Sequence, residues 1–132
     1  METKVSTENG RVPVTVVHVD GKIDASTADA FLAEVTGLIN NGTKDVLVDM
    51  SHVTYMSSAG LRSLHDIFNQ LRAANNETDD EEVRKGISEG TYKSPHLKLL
   101  NLSDDTRTAF ETAGFDMYIE TFTERQAAIN SF

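Results

Sequence analysis

The chain of 132 residues contains no cysteine. That excludes disulfides and thiolate metal sites, and weakly favours a reducing compartment. No apolar run approaches the roughly 20 residues that a membrane-spanning helix requires, and the amino-terminal Met1 to Gly10 stretch lacks the basic segment and apolar core of a secretion signal. The cytoplasm is the expected location. Basic residues are scarce, twelve against twenty-one acidic ones, for a net charge of −9. Such a balance opposes attraction to nucleic-acid phosphate or to anionic lipid, so a protein is the expected partner. There is no Gly-rich phosphate loop, and the carboxylates Asp79, Asp80, Glu81 and Glu82 lack the spaced ligands and turn glycine of a calcium loop. No metal and no cofactor is expected.

What is present is the composition of one globular domain, 39% hydrophobic and 25% charged, at a length that buries one core and not two. Arg11 to Val19 is rich in β-branched residues and reads as a strand, with Pro13 marking its entry or a sheet edge. Asp20-Gly21 is a turn signal, and Lys22-Ile23-Asp24 is expected as a short returning strand. From Thr27, the apolar positions Phe31, Leu32, Val35, Leu38 and Ile39 keep helical spacing up to Asn40-Asn41-Gly42. Asp45 to Met50 is a compact strand, and Leu61, Leu64, Ile67, Phe68 and Leu71 form the stripe of a second helix. Strand, helix, strand, helix is the α/β pattern, and right-handed crossovers place the start of the second helix at the carboxyl edge of a parallel sheet.

Residues 74–95 break this pattern with an acidic, nearly apolar-free run, expected as a flexible surface insertion. Regular structure resumes with a strand over Leu97 to Leu102, a short helix capped at Ser103 and ended at Gly114, a strand over Met117 to Thr121, and a final helix opened by Thr123.

The junction from Val46 to Arg62 is the most informative part of the chain, because an apolar strand passes into a helix through Ser57-Ser58-Ala59-Gly60. A helix start carries unpaired N–H groups and the positive end of the macrodipole, so a phosphate on Ser57 or Ser58 gains hydrogen bonds there. A serine at this place also serves as an ordinary N-cap, and the sequence leaves both roles open. Asp24, Ser26, Ser57, Ser58, Ala59, Gly60, Leu61 and Arg62 make the expected partner-contact edge, the small residues at 57–60 allowing close approach. For Asp24 a turn or helix-cap role stands beside this, and an exposed helical arginine such as Arg62 is usually just solvated.

Three stretches, Gly21-Lys22-Ile23-Asp24, Val48-Asp49-Met50-Ser51 and Tyr55-Met56-Ser57-Ser58-Ala59-Gly60-Leu61, resemble the STAS domain family, and within it the bacterial anti-sigma factor antagonists. The Thr106 to Ile129 ending is also similar. The resemblance implies an α/β STAS-like domain over residues 1–132, with a mixed, mostly parallel central sheet and helices packed largely on one face. It further implies that Ser58 is the phosphoacceptor, that an anti-sigma factor serine kinase phosphorylates it, and that a PP2C-type phosphatase reverses this. Where such proteins often have an acidic residue, this chain has Ser57, which leaves Ser57 as a minor acceptor. The role so implied is regulated binding and not catalysis. The Ser-x-Gly of residues 58–60 lacks the first glycine of a hydrolase nucleophile elbow, Met56 standing in its place, and none of His18, His52, His65 and His96 is set by spacing as its base. The alternative is a phosphorylation-independent STAS scaffold, or a small subunit of a transport or signalling complex.

Overall fold

The computed structural model describes residues 1–132. Its five strands lie in the order β1 (Glu2–Asn9), β2 (Pro13–Ile23), β3 (Val46–Met56), β4 (Leu97–Leu100) and β5 (Glu120–Phe122). β1 and β2 are antiparallel and every later pair is parallel. The parallel connections run through α1 (Ala28–Asn40), then α2 (Ser58–Ala74) and α3 (Asp80–Glu89), then α4 (Asp104–Thr112). Crossovers of a single hand put their helices on a single face. There, Val17, Val19, Val46, Val48, Met50, Leu97 and Leu99 meet Phe31, Val35, Leu64, Ile67, Phe68, Leu71 and Phe110 in the main core. The terminal helix α5 (Arg125–Asn130) covers part of the other face, where Ala128 and Ile129 pack on Val14, Val16, Leu47 and Leu100. This is a mixed α/β fold of the expected kind.

Several elements depart from the expectations of the sequence. The segment Asp20 to Asp24 does not turn back. β2 runs on to Ile23, with Gly21 at φ +111° and register shifts on either side of the Asp20-Gly21 pair. β3 extends to Met56, so residues 20–23 keep parallel partners and a bulge replaces the turn. β1 is an unanticipated edge strand. Its side chains are mostly polar, and its pairing partner β2 supplies the apolar half of the pair.

Within the acidic 74–95 stretch, read as a loop, the chain builds α3. Asp79 Oδ1 accepts the Glu82 amide at 3.0 Å, Asp80, Glu81 and Glu82 sit at the positive end of the helix, and Gly90 closes it at φ +74°. These are the ordinary start and stop devices of a helix. Its apolar contribution is limited to Val83 and Ile87, partly buried against the main core together with Tyr92. Arg72, only 8% exposed, anchors the segment by donating to the Glu77 carbonyl at 3.0 Å and to Asp80 Oδ1 at 2.8 Å.

The expected strand over Met117 to Thr121 is instead a 3₁₀ turn (Phe115–Met117) followed by β5. Gly114, at φ +82°, redirects the chain so that Phe115 and Tyr118 join Phe110, Phe68 and His65 in an aromatic cluster. Glu124 rather than Thr123 caps the last helix, accepting from the amides of Gln126 and Ala127.

Candidate functional site

The carboxyl ends of β2 and β3 bring two turns to one edge of the sheet. Ile23 pairs with Met56 in the parallel register, and the Ser57 amide donates to the Ile23 carbonyl at 2.9 Å. Asp24 and Ser26 therefore open α1 beside the point where Ser57 and Ser58 open α2. The two helix starts are joined again by Ser63, whose hydroxyl lies 3.2 Å from the Ala28 carbonyl and 3.1 Å from that of Ala59.

The adjacent serines have different surroundings. Ser57 is the N-cap, extended at φ −83° and ψ 176°, and its Oγ accepts from the Gly60 amide at 3.4 Å. Ser58 is the first helical residue, exposed, with its hydroxyl in no hydrogen bond to the chain. No acidic residue occupies the first turn of α2, whereas α3 and α4 carry Asp80, Glu81 and Glu82, and Asp104 and Asp105, in theirs. The positive end of the α2 dipole is thus left without a compensating carboxylate of its own, a setting that favours an added anion.

Other residues of the expected contact edge divide by burial. Gly60 is buried because of the fold itself: a Cβ there would stand 2.7 Å from the Ile23 carbonyl oxygen and 2.8 Å from Met56 Cγ. Leu61 is 8% exposed and belongs to the main core. Both residues fix α2 against the strand ends and are buried within the expected contact edge. Ala59 is partly buried, while Ser26 and Arg62 are exposed.

The Asp24 carboxylate accepts from the Ser26 hydroxyl at 2.7 Å and the Ser26 amide at 2.9 Å, with Thr27 Oγ1 at 3.4 Å. Ser26's hydroxyl and amide hold this carboxyl below its ordinary range. Asp24 therefore acts within its own turn and makes no hydrogen bond to Ser57 or Ser58. Tyr55, outside the expected contact edge, is 48% exposed and stands opposite Lys22 in the register, two residues before Ser57. An aromatic residue at the outward position of a strand end was the available signal.

No three His, Asp or Glu side chains come together as a metal-binding group. No helix is long and apolar enough to cross a membrane.

This edge, with its strand-to-helix serine turn, lies inside a segment of recognisable family. Residues 4–78 match the model of the STAS domain, which is more than half of the chain, and the protein belongs to that family. BtrV of Bordetella bronchiseptica, named as a candidate anti-sigma factor antagonist, is 26% identical over 117 residues, covering 89% of this chain and 84% of BtrV. Among solved structures, an anti-sigma factor antagonist of Mycobacterium paratuberculosis superposes with a TM-score of 0.70 at 21% identity, over 98% of this chain and 92% of that one. Bacillus SpoIIAA in its phosphorylated form superposes with a TM-score of 0.62 at 16% identity, over 96% of each chain. At these identities the structural likenesses establish a shared fold.

Proposed function

We propose that this protein is an anti-sigma factor antagonist that binds an anti-sigma factor serine kinase when Ser58 is free, and releases it when Ser58 carries phosphate. The observation that carries the reading is the contrast between the two serines: Ser57 is committed to the cap, and Ser58 presents an unengaged hydroxyl at a helix start without its own carboxylate. The names of BtrV and of the fold neighbours support the general role.

The switch works through charge at a fixed surface. A phosphate on Ser58 brings about −1.5 to −2 charges, and the unpaired amides of the first turn receive it without rearrangement. The same edge already holds the Asp24 carboxylate in its ionised form. A partner that docks here must then desolvate the phosphate and approach a doubly acidic edge. A penalty of about 3 kcal/mol corresponds to roughly a hundredfold loss of affinity, enough to exchange partners. Ser26, Tyr55 and Arg62 are the exposed side chains that meet the partner, and Gly60 and Leu61 hold the turn in place. A PP2C-type phosphatase resets the switch. The binding role asks no chemistry of this site, whose serine hydroxyls contact no imidazole.

The test uses the wild type, Ser58→Ala and Ser58→Glu as baits in lysate of the native cells. Recovery of an ATP-dependent serine kinase by the first two, and its loss with Ser58→Glu, is the expected result. Equal recovery by all three baits, or recovery of transport components in place of a kinase, contradicts the proposal.

A further inference from the structure

The face of the sheet opposite the main core is only half covered by α5. On its open half, polar side chains of the polar edge strand β1 and of the apolar strands β2 and β3 meet in register. His18 of β2 stands opposite Lys4 of β1 and Asp49 of β3, and Ser6 lies two residues along β1 on the same face. Ser6 Oγ is 3.1 Å from His18 Nε2, and His18 Nδ1 is 2.9 Å from Asp49 Oδ2. Asp49 is fixed in turn, since its Oδ1 accepts from the Ser51 hydroxyl and amide, and Asn101 donates to the Ser51 hydroxyl at 3.0 Å.

Proton positions follow from this geometry. Burial raises the Asp49 carboxyl, but the hydrogen bonds from Ser51 and His18 outweigh burial and hold it below its ordinary value. An ionised carboxylate only accepts, so Nδ1 of His18 carries the proton. In the neutral ring Nε2 then holds a lone pair, and the Ser6 hydroxyl donates to it. This is the nucleophile, base and orienting carboxylate arrangement that activates serines on unrelated folds. Beside it opens a surface hollow of about 410 Å³, lined by Glu2, Lys4, His18, Val19, Asp20 and His52. Lys4 is its one lysine or arginine.

The geometry points to a second activity: Ser6, His18 and Asp49 form an activated serine that takes the acyl group of small esters on the open sheet face beside this hollow, whose wall shares only His18 with the three. Ser6 Oγ bonds to the ester carbonyl carbon and its proton passes to His18 Nε2. The carbon–oxygen bond to the alcohol then breaks, and that proton leaves with the alcohol. Water repeats the sequence on the acyl-serine, giving the acid and free Ser6. Lys4 supplies the positive charge facing the oxyanion. His18 is the general base, and Asp49 is a positioning residue acting through it. This activity is independent of Ser58.

The test is exposure of the full chain to a fluorophosphonate probe, with intact-mass and peptide mapping. Ser6 displaces fluoride, which departs with the serine proton as hydrogen fluoride, and one phosphonyl group on Ser6 is expected. His18→Ala lowers the labelling rate by about a hundredfold or more. Asp49→Asn also lowers it, because the amide directs the Nε2 proton toward Ser6. Ser88→Ala, on an exposed position of α3, labels as the wild type does. Mapping on the wild type needs no variant to fold, and the variants are read only where circular dichroism matches it. Absence of label, label on Ser58 or another residue in place of Ser6, or His18→Ala labelling at the wild-type rate overturns the proposal.

Discussion

The separate roles of two neighbouring serines can be read in stability alone. In Ser57→Ala the cap acceptor for the Gly60 amide is lost. Cap removal costs about 0.5–2 kcal/mol in general, and the long 3.4 Å bond here places the expected loss at about 0.5–1 kcal/mol. Ser58→Ala removes a hydroxyl with no partner and installs a better helix former, so its effect stays within about 0.5 kcal/mol. Ser58→Glu puts a carboxylate at an uncompensated helix start and gains about 0.3–1 kcal/mol at low ionic strength, a gain that added salt removes. For 132 residues, an unfolding entropy of about 2.1 cal/mol/K per residue makes each 1 kcal/mol roughly 3–4 °C in Tm. Thermal unfolding followed by circular dichroism should therefore show Ser57→Ala about 2–4 °C below wild type, Ser58→Ala near it, and Ser58→Glu above it in low salt only. If Ser58→Ala were destabilised as much as Ser57→Ala, or Ser58→Glu fell below both, the assignment of cap and acceptor would be refuted.

Other outcomes follow from the packing and the ionisable groups. Gly60→Ala gains about 1 kcal/mol of helix propensity but drives a methyl to within 2.7 Å of the Ile23 carbonyl oxygen; against an overpacking cost of about 1–3 kcal/mol, urea titration should find a net loss of up to about 2 kcal/mol. Arg72→Ala removes the donors that hold Glu77 and Asp80, so native-state amide exchange over α3 should accelerate at least about tenfold while β3 keeps its protection. Burial raises the Tyr118 hydroxyl above its ordinary range, and burial with the Glu77 carboxylate does the same for Tyr92. A group raised in the folded state stabilises fully below its unfolded pKa, and that stability is lost as pH rises through the folded value. Denaturant melts should accordingly hold constant up to about pH 10 and decline above it, with Tyr118→Phe declining less. The Asp49 carboxyl, lowered on balance, has the opposite sign: its contribution is present above the ordinary carboxylate range of about pH 4 and is lost as pH falls through the lower folded value, a decline that Asp49→Asn should reduce.

Periodicity made α1 and α2 legible, because Phe31, Val35, Leu64, Phe68 and Leu71 are both the sequence stripe and the buried face. The strand-to-helix passage at Ser57-Ser58 was legible for the same reason, and its family motif named the candidate acceptor. What escaped was decided by pairing at a distance. β1 is nearly all polar and becomes a strand through its register with β2. Gly21 looks like a turn residue, but the length of β3 carries the strand past it. α3 was hidden by the acidity that caps it, although Asp79, Glu82 and Gly90 are helix punctuation in retrospect. At Gly60, local sequence does not reveal that Ile23 and Met56 close over the backbone, nor at Leu61 that the side chain joins the main core. The alignment of Ser6, His18 and Asp49 is a product of strand register, and only the histidine and aspartate interrupting two valine-rich runs hinted at it.

The most direct measurement of the switch is intact-mass analysis with tandem mapping of the protein from its native cells, across growth and stress conditions, beside the Ser58→Ala form. One phosphate on Ser58, varying with condition and absent from the variant, is the result expected of the switch. A Ser58 that stays unmodified under every condition, or a phosphate that persists in Ser58→Ala, would contradict it.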